Sequence, residues 1–184
     1  MSALVLGIGN ILWADEGFGV RAVEAFDRRF VLADGVELLD GGTQGLYLVQ
    51  NVVEADALLV FDAIDYGLAP GELKLVRDEE VPKFTGAKKM SLHQTGFQEV
   101  LSAADLLGRY PKRLALIGVQ PEDLENWGGP LTEPVRGQIE SAVELARAVL
   151  AEWGFELVER AAGERAPGLL GNAIDFVSYE RRAG

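Results

Sequence analysis

Ala57–Ile64 reads ALLVFDAI, eight residues with a single polar side chain, Asp62. A run this short cannot make a buried helix of ordinary length, and a strand apolar on both faces belongs at the centre of a sheet covered by helices on both sides. The flanking segments fit that frame. Residues 4–9 (LVLGIG) and 113–119 (RLALIGV) are two more short apolar runs, and VELLD, 36–40, is a third, ended by Gly41 and Gly42. Helical spacing of Val20, Val23, Phe26 and Phe30 predicts a helix from about Gly17 to Phe30, and 44–54 a shorter one. Strands that alternate with helices give an α/β domain with a largely parallel sheet. GELKLVR, 71–77, alternates polar and apolar and is expected at an edge.

The second half follows the same logic. The stretch 79–90 has no period and is expected to be a long loop; Lys83, Lys88 and Lys89 make it either a contact for a partner or a solvated segment. Ser91 and Gln94 form an S-x-x-Q capping box ahead of Phe97, Val100, Leu101 and Ala104, which puts His93 in the first turn of a helix. Thr132 caps a long last helix, with Pro134 in its first turn and Gly154 as its stop near Trp153. FELVER, 155–160, is expected to form a short strand, and the residues beyond it are unassigned.

The chain of 184 residues is about one domain long and can bury roughly 70% of its unfolded surface. Seventeen Lys and Arg against 29 Asp and Glu give a net charge of −12, which disfavours nucleic acid and anionic membranes as partners. MSALVLGIGN lacks the layout of a signal peptide, and no window approaches the ~20 apolar residues of a membrane span, so a cytoplasmic protein is expected. There is no cysteine and one histidine. That excludes thiolate nucleophiles, Cys-ligated metals and any site with two histidines from one chain.

Three features fall at the expected carboxyl ends of parallel strands, where open α/β sheets place ligands. In GIGNILWADEGFG, 7–19, Leu12 stands where a dinucleotide-binding turn needs its third glycine, and Asp15 and Glu16 would repel a pyrophosphate. The loop reads instead as a hinge that aims carboxylates at a cation, or as acids favoured at a helix start. Trp13 beside them is either a substrate contact or packing. Asp62 ends its strand facing the crevice or bonding the next turn, with Asp65 able to share its role. His93, at the positive end of a helix dipole, is held as a neutral imidazole suited to ligation. Two carboxylates and one imidazole suit a divalent cation such as Mn, Fe, Ni or Zn.

VLGIGNILWADEGFGVRAVE, LLDGGTQG, LVFDAID, KMSLHQTGFQEVL and LIGVQPE, in this order over about residues 3–150, resemble the nickel-iron hydrogenase maturation endopeptidases, in particular those of uptake hydrogenases. The resemblance implies a three-layer α/β/α sandwich around a five-stranded, mostly parallel sheet with one antiparallel strand. It implies a protease domain over 1–160 and leaves 161–184 as a C-terminal tail of unknown role. It maps the family's metal positions onto Glu16, Asp62 and His93, and implies removal of a C-terminal peptide from the nickel-loaded large-subunit precursor.

On that basis nickel is expected to arrive with the substrate, because thiolates bind it better than carboxylates and imidazole do. Glu16 and Asp62 are candidates for the chemistry as well as for the metal. Asp15 or Asp40 is a candidate general base in an aspartic-type mechanism, and Asp40 is also a candidate support behind the ligands or simply the start of a turn. Two other readings stay open at this point: a chaperone that holds the precursor without cutting it, and a stand-alone metallohydrolase. The oligomeric state is not readable.

Overall fold

The computed structural model describes residues 1–81, 92–161, 164, 166, 168–169 and 175–180; the side chains of Leu92, His93 and Glu180 are outside the description. Most of the long loop expected at 79–90, with its three lysines, and Ser91 of the capping box therefore lie outside the described residues. Within them no helix is long and apolar enough to cross a membrane.

Strands β1 (Ala3–Ile8), β3 (Val36–Gly42), β4 (Ala57–Ala63), β5 (Leu73–Arg77) and β6 (Arg113–Val119) form one five-stranded sheet in the order β3-β1-β4-β6-β5. Every pairing is parallel except β5 with β6, so the alternating segment is the edge strand its pattern predicted, and it is the one antiparallel strand the resemblance implied. β4 is buried along its whole length and lies at the centre of the sheet. Helices cover both faces. α1 (Phe18–Arg29) and α5 (Ile139–Glu152) pack over Val5, Leu59, Phe61 and Ile117. α2 (Val49–Glu54) and α3 (Leu92–Leu106) cover Leu6, Leu58, Val60 and Leu116 on the other side.

The chain leaves β1 toward β3 on one side and pairs with β4 on the other. The strand order thus reverses at β1, and the loops after β1 and β4 flank the point where open α/β sheets leave a crevice.

Two expectations are corrected. The long last helix is two: α4 (Glu133–Arg136) and α5, parted at Gly137 and Gln138, where Gln138 bonds back only three residues to Val135. Glycine is a poor helix former, and the hydroxyl expected to cap the helix, that of Thr132, is used elsewhere. The 155–160 strand shrinks to β7 (Val158–Glu159), which pairs antiparallel with β2 (Phe30–Val31) outside the main sheet.

Among the described residues past 160, two join the core. Leu169 and Phe176 pack against the α1-side core, and α6 (Phe176–Glu180) lies over α1. There the Phe176 N–H donates to both Glu24 oxygens, at 2.9 and 3.1 Å. The Arg21 guanidinium sits 5.7 and 5.3 Å from the Phe176 and Tyr179 ring centres. Arg21, Glu24 and Asp27 are buried on α1, an arrangement stable only because each charge meets an opposite charge or a hydrogen bond.

Candidate functional site

The β1–α1 loop is built to hold one side chain in place. The Asn10 side chain accepts from Leu12 N, and the Glu16 backbone is tied at both ends: its N–H donates to Trp13 O at 2.9 Å and its carbonyl accepts from Asn10 N at 3.1 Å. Gly9, at φ +136°, is required here, since a Cβ on it would fall 1.8 Å from Glu16 O. A Cβ on Gly19 would fall 2.1 Å from Ile8 O and 2.3 Å from Phe61 O, so only glycine lets α1 start directly on the ends of β1 and β4. Ala14 takes φ +38°, a strained conformation for a residue with a side chain. The outcome is a half-buried Glu16 on a turn that packs against β4.

Asp62, at the carboxyl end of β4, is 1% exposed. Its Oδ1 accepts from Ala63 N at 2.8 Å and its Oδ2 from Gln94 Nε2 at 3.1 Å. The same Gln94 nitrogen donates to Ala63 O at 2.9 Å. Gln94, half of a capping box by its spacing, is therefore a buried amide that clamps Asp62 to the first turn of α3. A carboxylate offers about four lone-pair directions, so these bonds are compatible with ligation of a cation by the same group. The Tyr66 phenol is pushed up by burial and by the charge of Asp62, which keeps it a neutral hydroxyl.

α3 begins at Leu92, which places the backbone of His93 in that first turn; its side chain lies outside the described residues. Among the described residues no group of three acidic, His or Cys side chains is arranged to hold a metal. Glu16 and Asp62 are thus the two members of the expected ligand set whose placement can be read. Both belong to the β1–β4 end of the sheet.

The other expected carboxylates are not brought to this point. Asp15 is fully buried, and its two oxygens accept from Glu122 N, Asp123 N, Thr132 N and the Thr132 hydroxyl at 2.8–3.1 Å. It pins the loop after β6 to the loop after β1, a structural task that leaves no oxygen open to a water. Asp40 pairs in register with Gly7. A Cβ on Gly7 would meet Gly19 and Val23 of α1, so Asp40 leaves the sheet on the α1 face, opposite to Asp62 and α3. There it accepts from Gly42 N at 2.9 Å, the turn its sequence allowed, and burial raises its pKa against the pull of Gly42 and Arg21. Asp65 accepts from Gly67 N and Gln120 Nε2 and belongs to a turn. Trp13 stacks edge-to-face on Trp127, with 5.0 Å between ring centres, and the two form a backbone bridge between the same two loops.

Comparison with known proteins bears on the family and the fold. The family model HycI, hydrogenase maturation protease, matches residues 20–149. The hydrogenase expression/formation protein HupD of Rhizobium leguminosarum bv. viciae is 70% identical over 180 residues, 98% of this chain and 89% of that protein. The hydrogenase 2 maturation protease of Escherichia coli (strain K12) is 49% identical over 88% of this chain and 98% of its own. Among solved structures, the hydrogenase maturating endopeptidase HybD from E. coli superposes with a TM-score of 0.82 at 47% identity, covering 89% of this chain and 100% of that one.

Proposed function

Because the chain belongs to the hydrogenase maturation protease family, we propose that it removes the C-terminal peptide from the large-subunit precursor of a nickel-iron hydrogenase, and that nickel held by the precursor licenses the cut. Family membership supports cleavage rather than mere holding of the precursor. The observation that carries the reading is the convergence of the Glu16 loop, the clamped Asp62 and the first turn of α3 at the carboxyl ends of β1 and β4.

In this reading Glu16, Asp62 and His93 complete the coordination of nickel already bound by substrate thiolates. Oxygen and imidazole ligands are weak competitors for thiolate-bound nickel, so the protein reads the metal without stripping it. Asp62, locked by Gln94, supplies a rigid ligand. Glu16 is the more accessible of the two carboxylates, and it is assigned the proton released when water attacks the scissile carbonyl. The precursor's nickel polarises that carbonyl or the water. Asp15 and Asp40 have no part in proton transfer: the first holds the two loops together, and the second faces the α1 charge cluster. Cytoplasmic action belongs to the same proposal.

The test is a set of near-isosteric variants, Glu16→Gln, Asp62→Asn and His93→Gln, assayed on purified precursor. Each is expected to fold with unchanged circular dichroism and to leave the precursor unprocessed. Wild-type processing by any one of them removes that residue from the site.

A further inference from the structure

Eleven large apolar side chains are exposed among the described residues, and five of them sit in the four loops that follow the parallel strands. They are Leu12 after β1 (39% exposed), Leu46 and Tyr47 after β3 (56% and 87%), Leu68 after β4 (41%) and Trp127 after β6 (62%). Strands that run parallel send these loops to the same end of the sheet, the end that holds Glu16 and Asp62. Isolated exposed apolar residues are ordinary; five on the loops at one end of a sheet concentrate apolar surface there.

Four of the five form two lobes, each fastened to a different wall of the site. On one side Gly128 N donates to Leu12 O at 2.7 Å, and the Trp13–Trp127 bridge and ring contact join the loops. Asp15 bonds across the same two loops, so Leu12 stands on the loop that carries Glu16 and Trp127 on the loop fastened to it. On the other side the turn Gly45–Leu48 packs against α3: a Cβ on Gly96 would lie 3.5 Å from Gly45 Cα, two residues past the Gln94 clamp. Leu46 and Tyr47 therefore flank the wall that carries the first turn of α3. Trp and Tyr, the residues that most often dominate protein–protein binding energy, occur once in each lobe.

We infer that these lobes form a clamp that grips an apolar surface of the folded precursor on either side of its scissile segment. The inference rests on the proposed activity, which requires a protein substrate to be held at this crevice. The lobes stand on loops at the same end of the sheet as Glu16 and Asp62, and they expose apolar side chains on a chain of net charge −12, which suits an apolar patch of a protein partner. The occupant is thus the body of the large subunit next to its C-terminal peptide. Recognition combines a metal at the centre with apolar contact at the rim.

The experiment measures steady-state processing of purified, nickel-loaded precursor by wild type, by the double variant Leu46→Ser with Tyr47→Ser, and by Trp127→Ser. Melting temperature and sedimentation velocity are recorded for each protein. The clamp predicts a KM raised about tenfold or more in the double variant, with kcat and melting temperature close to wild type. Because Trp127 also braces a loop, a result for that variant counts only alongside the exposed Leu46 and Tyr47 pair. Wild-type KM in the double variant overturns the clamp whatever Trp127→Ser does, as does a loss confined to kcat. A shift in self-association with KM unchanged also overturns it, assigning the surface to a second copy of the chain. Failure of the wild-type protein to cut the precursor overturns the activity assignment itself, and the clamp with it.

Discussion

Gln94 donates from one nitrogen to Asp62 Oδ2 at 3.1 Å and to the carbonyl of Ala63 at 2.9 Å, tying the first turn of α3 to the end of the central strand. Both residues are buried to within 2%. Outer partners of this type fix the orientation of a metal-binding carboxylate, and their loss costs about 10- to 100-fold in affinity or activity. Gln94→Leu is expected to lower kcat/KM for the precursor by that factor while Asp62 remains in place. Gln94→Glu sets a second carboxylate against Asp62 and is expected to be the worse of the two. Equal activity of wild type and Gln94→Leu would show that Asp62 needs no clamp.

Asp15 gives a different signature. It accepts three backbone N–H groups and one hydroxyl in a site without solvent access. Asp15→Ala leaves all four donors unsatisfied, a loss of about 3 to 5 kcal/mol and a melting temperature lower by roughly 10 °C. The remaining folded fraction is expected to process precursor at a measurable rate, unlike Asp62→Asn. A stable but inactive Asp15→Ala would return Asp15 to the chemistry.

Asp40 yields a pH test. Burial raises its folded pKa above the ordinary carboxylate value, so its contribution to stability is fully present below the unfolded pKa and is lost as pH rises through the folded one. Asp40→Asn removes that loss and keeps an oxygen for Gly42 N. Its melting temperature is expected to equal or exceed that of wild type at pH 7, and the difference is expected to close as pH falls into the carboxylate range. A variant less stable at pH 7 than at low pH, relative to wild type, would contradict the assignment.

The tail is tested at Glu24, which bonds Arg21 at 3.1 Å, pairs with Arg28 and accepts the Phe176 N–H. Glu24→Ala takes the 3.1 Å carboxylate partner from the buried Arg21 and the acceptor from Phe176 N, and is expected to cost about 3 kcal/mol. Phe176→Ser is milder and is expected to release α6, read as faster amide hydrogen exchange at 176–180 with the sheet still protected. Unchanged exchange there would mean that the aromatic contact does not hold the tail.

What the sequence discloses follows from the range of the interactions involved. β4, β1 and β6 are legible because burial on both faces leaves no choice of residue type, and β5 because one face meets solvent. Glu16 and Asp62 are legible because carboxylates beside strand ends are costly without a task. The task of Asp15 is invisible locally, since its partner Thr132 is 117 residues away and no periodicity reports on such a bond. The same bond takes the Thr132 hydroxyl that local spacing offers as a helix cap. Gln94 fits a capping box by spacing, yet its amide nitrogen reaches Asp62, 32 residues earlier, across the α3–sheet interface. Asp40 has the look of a companion to Asp62 in the sequence, but the two-residue period of strands and the Gly7 register put them on opposite faces.

On the proposed reading, nickel in the precursor is what the Glu16, Asp62 and His93 site reads. The direct measurement incubates the protein with precursor prepared with and without nickel and follows the precursor's C-terminal end by intact-mass spectrometry. Loss of the C-terminal peptide from the nickel-loaded precursor alone is the predicted result; equal trimming of both forms would contradict it.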